Sequence, residues 1–238
     1  MARQAAGFQA VDEATGVWAF EYLFSGPATA NTQIIRGRDG GLVVVSPACG
    51  MSNEDFARID ALGRVSAIVA PNRFHHLGQQ AWQDRYPEAR VFAPAGASRT
   101  IAKKHDHLRP FEPIEAVSDL LGPGSWFGIP PHMRMSDLAG WVKTPEGYIW
   151  CFTDMVVNFR SLPKGAFGKL LGWTRSAPGL AVFRLAAPLL LKSRKGYKAW
   201  LLEELARQPP IKIVSGHGAL VLDREQAQRL PEIVERSL

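Results

Sequence analysis

AIVAPNRFHHLG, residues 67–78, decides how the rest of the chain is read. It starts as VSAIVAP, a short continuous apolar run of the kind that forms a buried strand, and ends in a polar loop carrying adjacent imidazoles, His75 and His76. The two histidines are expected to open a helix reaching about Tyr86, followed by a strand over residues 89–93, which makes a strand, loop, helix, strand unit.

Upstream, TQIIRGRDGGLVVVSP reads as two strands, 32–36 and 41–46, around an Asp39-Gly40-Gly41 turn, a strong hairpin signal. Asn53 then caps a helix whose Phe56, Ile59 and Leu62 recur at helical spacing and whose end Gly63 marks. Downstream, a strand is expected after Phe111, and Pro145-Glu146-Gly147 separates two aromatic-rich strands. A helix follows over 196–207, then the strand IKIVS, then a last helix over 223–237 with Asp223 as its cap. This order fits an α/β chain, a four-layer αββα sandwich better than a doubly wound sheet.

At 238 residues and 46% apolar content the chain can bury one substantial core, so a single domain over 1–238 is expected. Cys49 and Cys151 match neither a zinc pattern nor a disulfide scaffold. The first twenty residues lack the apolar stretch and cleavage site of a secretory signal, so a cytoplasmic protein is expected. The net charge of +6 is concentrated: no acidic residue lies between Asp154 and Glu203, where nine lysines and arginines fall. Residues 160–198 therefore read as a basic, lid-like insertion of helical pieces. Its apolar part, 177–191, is too short to span a bilayer and is interrupted by Arg184 and Pro188.

Four of the six histidines, His75, His76, His132 and His217, fall where an expected strand gives way to a loop, the places where function tends to collect. Asp154 ends IWCFTD in the same way. This series resembles the metallo-β-lactamase-like superfamily, in which a strand ends in HxHxDHxxG. PHMRMS resembles the family's GHTPGS segment, pairing His132 with its histidine and Ser136 with its serine. Asp154 resembles the bridging aspartate, and His217 in SGHG the terminal histidine. The order holds from about residue 30 to 220.

The departures from the family pattern are specific. With His76 aligned to the last histidine of HxHxDH, His75 falls at the aspartate, Arg73 at the second histidine and Pro71 at the first. The PNxxHHL loop, Ser46-Pro47 and YPEA are similar to a divergent branch of the superfamily without established activity. The resemblance implies a reduced site in which His75, His76, Asp154 and His217 hold one divalent ion, zinc ahead of iron and manganese, or none at all. It also implies His132 and Asp154 as catalytic groups, with Arg73 and Ser136 facing a small, anionic or apolar substrate.

Two functions stand: a metal-dependent hydrolase, and a non-catalytic binding module in which the histidines form a hydrogen-bonded network. The stretch 162–197 adds peripheral contact with a membrane surface as a partner, because its cations alternate with Phe167, Leu170, Leu171, Trp173 and Phe183. No motif for specific nucleic-acid binding accompanies the charge. No P-loop, GxGxxG or GxSxG is present, which argues against nucleotide binding and serine hydrolysis. His105 and His107, in KKHDHLRP, are expected to lie in a solvated loop.

Overall fold

A computed structural model describes residues 7–25, 28–105 and 107–238. The chain divides into two compact units, 1–128 and 129–238. The first six residues and Asp106 of the HxH segment lie outside the described residues.

In the first unit, strands β1 (Gly7–Asp12), β2 (Val17–Ser25), β3 (Ala28–Arg36) and β4 (Leu42–Val45) are joined antiparallel in sequence order. The expected hairpin is the β3–β4 pair. Helix α1 (Asn53–Leu62) then returns the chain to β5 (Val65–Val69), parallel to β4, and α2 (Gln79–Arg85) returns it to β6 (Arg90–Ala93), parallel to β5. Helix α3 (Ala95–Ala102), the two-residue β7 (Glu112–Pro113), a 3₁₀ helix (Ile114–Leu120) and β8 (Trp126–Gly128) complete the unit. Phe56 and Ile59 of α1 and Trp82 of α2 pack in one core with Ile34, Leu42, Val44 and Ile68, so both helices cover one face of the sheet. Residues of both parities in β4 are fully buried, as a sheet covered on both faces requires.

Several expectations shift by a residue or more. The cap of α1 is Ser52 rather than Asn53: Ser52 and Asp55 bond reciprocally, and the two oxygens satisfy backbone donors that Asn53, already helical, does not serve. The helix expected to open at His75 opens at Gln79, because residues 70–78 form an irregular loop. The strand expected after Phe111 shrinks to two residues, since Pro113 cannot donate to a ladder and the chain coils into the 3₁₀ helix.

In the second unit, β9 (Ala139–Thr144) and β10 (Gly147–Phe152) form an antiparallel hairpin about the expected turn. Strand β11 (Val156–Phe159), helix α4 (Ala166–Trp173) and strand β12 (Gly179–Val182) follow, with β12 antiparallel to β11. The basic segment is therefore not only helical: part of it is a paired strand. After α5 (Ala187–Leu190), helix α6 (Arg194–Arg207), capped by Ser193, leads to β13 (Pro210–Ser215), parallel to β10. The last expected helix is two, α7 (Arg224–Gln228) and α8 (Leu230–Ser237), with Asp223 capping the first and Pro231 in the first turn of the second. Trp82, Trp141 and Trp150 are buried, and Trp126 and Trp200 are half-buried.

Candidate metal centre

In the first unit, Asn72 organises the loop after β5. Its side-chain oxygen accepts from the backbone N–H of Phe74 and of His75, at 2.8 and 3.1 Å, which folds the loop tightly and turns His75 inward. Gly78 ends it, and no larger residue fits there: a Cβ would lie 2.2 Å from the Pro47 carbonyl oxygen and 2.3 Å from that of Ala48. The loop after β4 is thereby pressed against the loop after β5. Its first residue, Ser46, holds a positive φ of 58° and sets its Oγ 2.6 Å from His75 Nδ1, both groups buried. Thr32 Oγ1 donates to the Ser46 carbonyl oxygen at 2.7 Å and fixes that strained residue. Ser46-Pro47, which sequence reading noted only as a departure from a family pattern, is thus what orients His75.

His76 belongs to a different cluster. Its Nδ1 is 2.7 Å from His105 Nε2, its Nε2 is 3.2 Å from Lys104 Nζ, and the two rings meet edge to face. Burial, then the nearby Lys104, His105 and His75, push the His76 pKa down to about 4, so its ring is neutral near pH 7. His105 is therefore a hydrogen-bonding partner, not the solvated loop residue that was expected. Arg73 and Phe74 are exposed, with the Arg73 guanidinium 5.0 Å from the centre of the Phe74 ring. Pro71 is buried.

In the second unit, Asp154 follows β10 and is held by a second carboxylate. Asp137 Oδ2 accepts from the N–H groups of Asp154 and Met155, both at 3.2 Å, in a buried turn. The Asp154 N–H that Asp137 accepts from is 17 residues away, joined by the β9–β10 hairpin, a contact that no local pattern signals.

His217 follows β13 in Ser215-Gly216-His217-Gly218, and each glycine is a close approach. A Cβ on Gly216 would lie 2.3 Å from the Thr153 carbonyl oxygen, and one on Gly218, where φ is 89°, would lie 2.0 Å from that of Asn158. The His217 carbonyl accepts from Asn158 N–H at 3.0 Å and from Ser215 Oγ at 3.0 Å. The outcome is His217 Nε2 set 3.0 Å from Asp154 Oδ1, with Phe159 stacked along the imidazole. His132 takes a different place: it is exposed, at a positive φ of 64°, with its ring against Gly196 in the first turn of α6. Ser136 is half-buried.

No protein-family model matches the sequence, and no curated protein does. Solved structures do resemble the chain over its whole length. A mono-zinc form of the metallo-β-lactamase FIM-1 from Pseudomonas aeruginosa is 16% identical, with 100% of this chain and 98% of that one covered and a TM-score of 0.57. A metallo-β-lactamase from Erythrobacter litoralis is 17% identical, with 96% of each chain covered and a TM-score of 0.57. One from Hirschia baltica is 14% identical over 97% and 98%, with a TM-score of 0.52. At such identities the likeness establishes a metallo-β-lactamase-like α/β fold.

Proposed function

We propose that this protein is a metal-dependent hydrolase, with Asp154 and His217 of the second unit and His75 of the first each as a ligand candidate for a divalent ion, zinc ahead of iron or manganese. The observation that carries the reading is the Asp154–His217 pair, brought to 3.0 Å by two glycine close approaches and a buried second carboxylate. A donor pair fixed from so many sides has the character of a ligand set.

The donor chemistry fits. Imidazole nitrogens and a carboxylate oxygen are donors of the kind that zinc hydrolases use. With Nε2 of His75 as the ligand atom, its Nδ1–H donates to Ser46 Oγ, the second bond that fixes tautomer and ring direction at such sites. When His217 Nε2 and Asp154 Oδ1 both serve as ligand atoms, the imidazole carries its N–H on Nδ1. A bound divalent ion supplies a Lewis acid and lowers the pKa of coordinated water toward neutrality. Asp137 keeps the Asp154 turn from moving, and Phe159 shields one face of His217.

His76, His132 and Ser136 have no part in this ligand set. Arg73, with the half-exposed Phe74 and Leu77 beside His75, suits a small substrate that has both an anionic and an apolar part. The two thiols, Cys49 and Cys151, are unpaired with each other, in keeping with a reducing, cytoplasmic setting.

Elemental analysis of protein purified without chelator tests the reading, beside an Asp154→Ala, His217→Ala variant. About one equivalent of zinc, iron or manganese in the wild type and loss in the variant is expected, with turnover of an ester, lactone or phosphodiester probe that follows the metal. Less than about a tenth of an equivalent in both, after metal is added back, sinks it.

A further inference from the structure

We infer that α4 and the loop before it form an interfacial segment that seats the protein on the surface of an anionic lipid bilayer. The inference rests on the second unit alone and is independent of the metal site.

Helix α4, AFGKLLGW, is laid directly onto the chain that precedes it. A Cβ on Gly168 would lie 1.6 Å from the Pro163 carbonyl oxygen, so that face has room for backbone only, and Gly168 and Leu171 are its buried residues. The opposite face is normally charged in a water-facing helix. Here Phe167, Leu170 and Trp173 stand on it three residues apart, in one stripe, exposed to 52%, 39% and 82%. Leu162, from the loop beneath, adds a fourth exposed apolar side chain at 42%.

Cations border this stripe. Lys164, Lys169 and Arg175 are exposed, and among the described residues no carboxylate pairs with them. The helix ends in a Schellman turn, with Ser176 N–H bonded to the Leu171 carbonyl and Arg175 N–H to that of Gly172. The turn residue is Arg175 at a φ of 53°, where glycine is the unstrained choice. The chain accepts that strain and thereby sets a guanidinium two residues from the exposed Trp173.

An exposed tryptophan and phenylalanine over basic residues match the two layers of a bilayer surface: apolar acyl ends below, anionic headgroups around. No described helix is long and apolar enough to cross a membrane, so the contact lies on the surface rather than through it. A second copy of this chain is a poorer occupant. Eight helical residues extend about 12 Å, and a strip that short offers far less than the roughly 800 Å² per partner of a stable interface.

The test uses the full chain in flotation with large vesicles of phosphatidylcholine, alone or mixed with phosphatidylglycerol, at low and high salt. Binding to the mixed vesicles only, reduced by salt, with a blue shift of tryptophan emission that Trp173→Phe diminishes, is expected. Phe167→Ser with Trp173→Ser, and separately Lys164→Glu with Lys169→Glu, should each lower partitioning at least about tenfold. These side chains are exposed, so an unaltered urea midpoint certifies that each variant is folded. The inference is overturned if the wild type stays unbound at low salt, or binds pure phosphatidylcholine equally, or if folded variants bind as the wild type does. Self-association abolished by the serine variant would reassign the surface to a second copy. Retention on duplex DNA abolished by the glutamate variant alone would reassign it to nucleic acid.

Discussion

Replacing Ser46 separates two effects that the structure superimposes at one residue. Its hydroxyl lies 2.6 Å from Nδ1 of the buried His75, and its backbone has a φ of 58°. Ser46→Ala keeps the strained backbone and leaves a buried imidazole nitrogen without that partner, which costs about 1–3 kcal/mol. Ser46→Gly loses the same bond but relieves roughly 1–2 kcal/mol of left-handed strain, against about 0.4–1 kcal/mol of extra unfolded-state entropy. The glycine variant should therefore be the more stable of the two by about 1 kcal/mol, read from urea midpoints at equal m-value. Zinc competition titration should not separate them: both lose about 10–100-fold in affinity, because both leave the His75 ring unoriented. Equal midpoints for the two variants would show that the backbone at Ser46 is unstrained. Wild-type zinc affinity in both would show that His75 does not ligate through a ring that Ser46 fixes.

Three further outcomes follow from the same geometry. Gly216→Ala should destabilise the protein by about 1–3 kcal/mol in thermal or urea unfolding, because its Cβ would meet the Thr153 carbonyl oxygen at 2.3 Å; a neutral substitution would mean that the SGHG turn is loose. Asp137→Ala should cost about 2–4 kcal/mol by leaving the Asp154 and Met155 N–H groups buried without their acceptor. Asp137→Asn, which keeps an acceptor, should recover a large part of that loss in the same assay. His76, held at about 4 in the folded protein against an ordinary 6.5, favours the folded state fully above about pH 6.5, and that contribution is lost as pH falls toward 4. Urea midpoints of metal-free protein between these pH values should fall more steeply for the wild type than for His76→Gln, and parallel slopes would refute the assignment.

The sheet elements were legible in the sequence because their signals are local. Asp39-Gly40-Gly41 fixes a hairpin, VSAIVAP is too short and too apolar for anything but a buried strand, and Pro145-Glu146-Gly147 marks the β9–β10 turn. The errors cluster where a side chain competes with the backbone or where proline removes a donor. Ser52 takes the cap from Asn53 because the Asp55 carboxylate answers it. Pro113 and Pro231 cut short a strand and a helix that hydrophobic spacing alone would extend.

The site was legible as a set of loops and not as a set of contacts. His75 and His76 are adjacent, and sequence gives them equal claim to a metal. In a regular helix their side chains would stand about 100° apart, but the Asn72 turn aims one ring at Ser46 and the other at His105 and Lys104. That choice is made by residues 28–29 positions away, brought in by β4 and by the end of α3, so no window around HHL contains it. The same holds for Asp154, whose supporting Asp137 arrives through the hairpin. What the sequence does carry is the requirement for glycine at 78, 216 and 218. Each marks a place where two backbones touch, and the donors fixed by those contacts, His75 and His217, are the two imidazoles proposed as ligands, whereas His76 is held by His105 and Lys104.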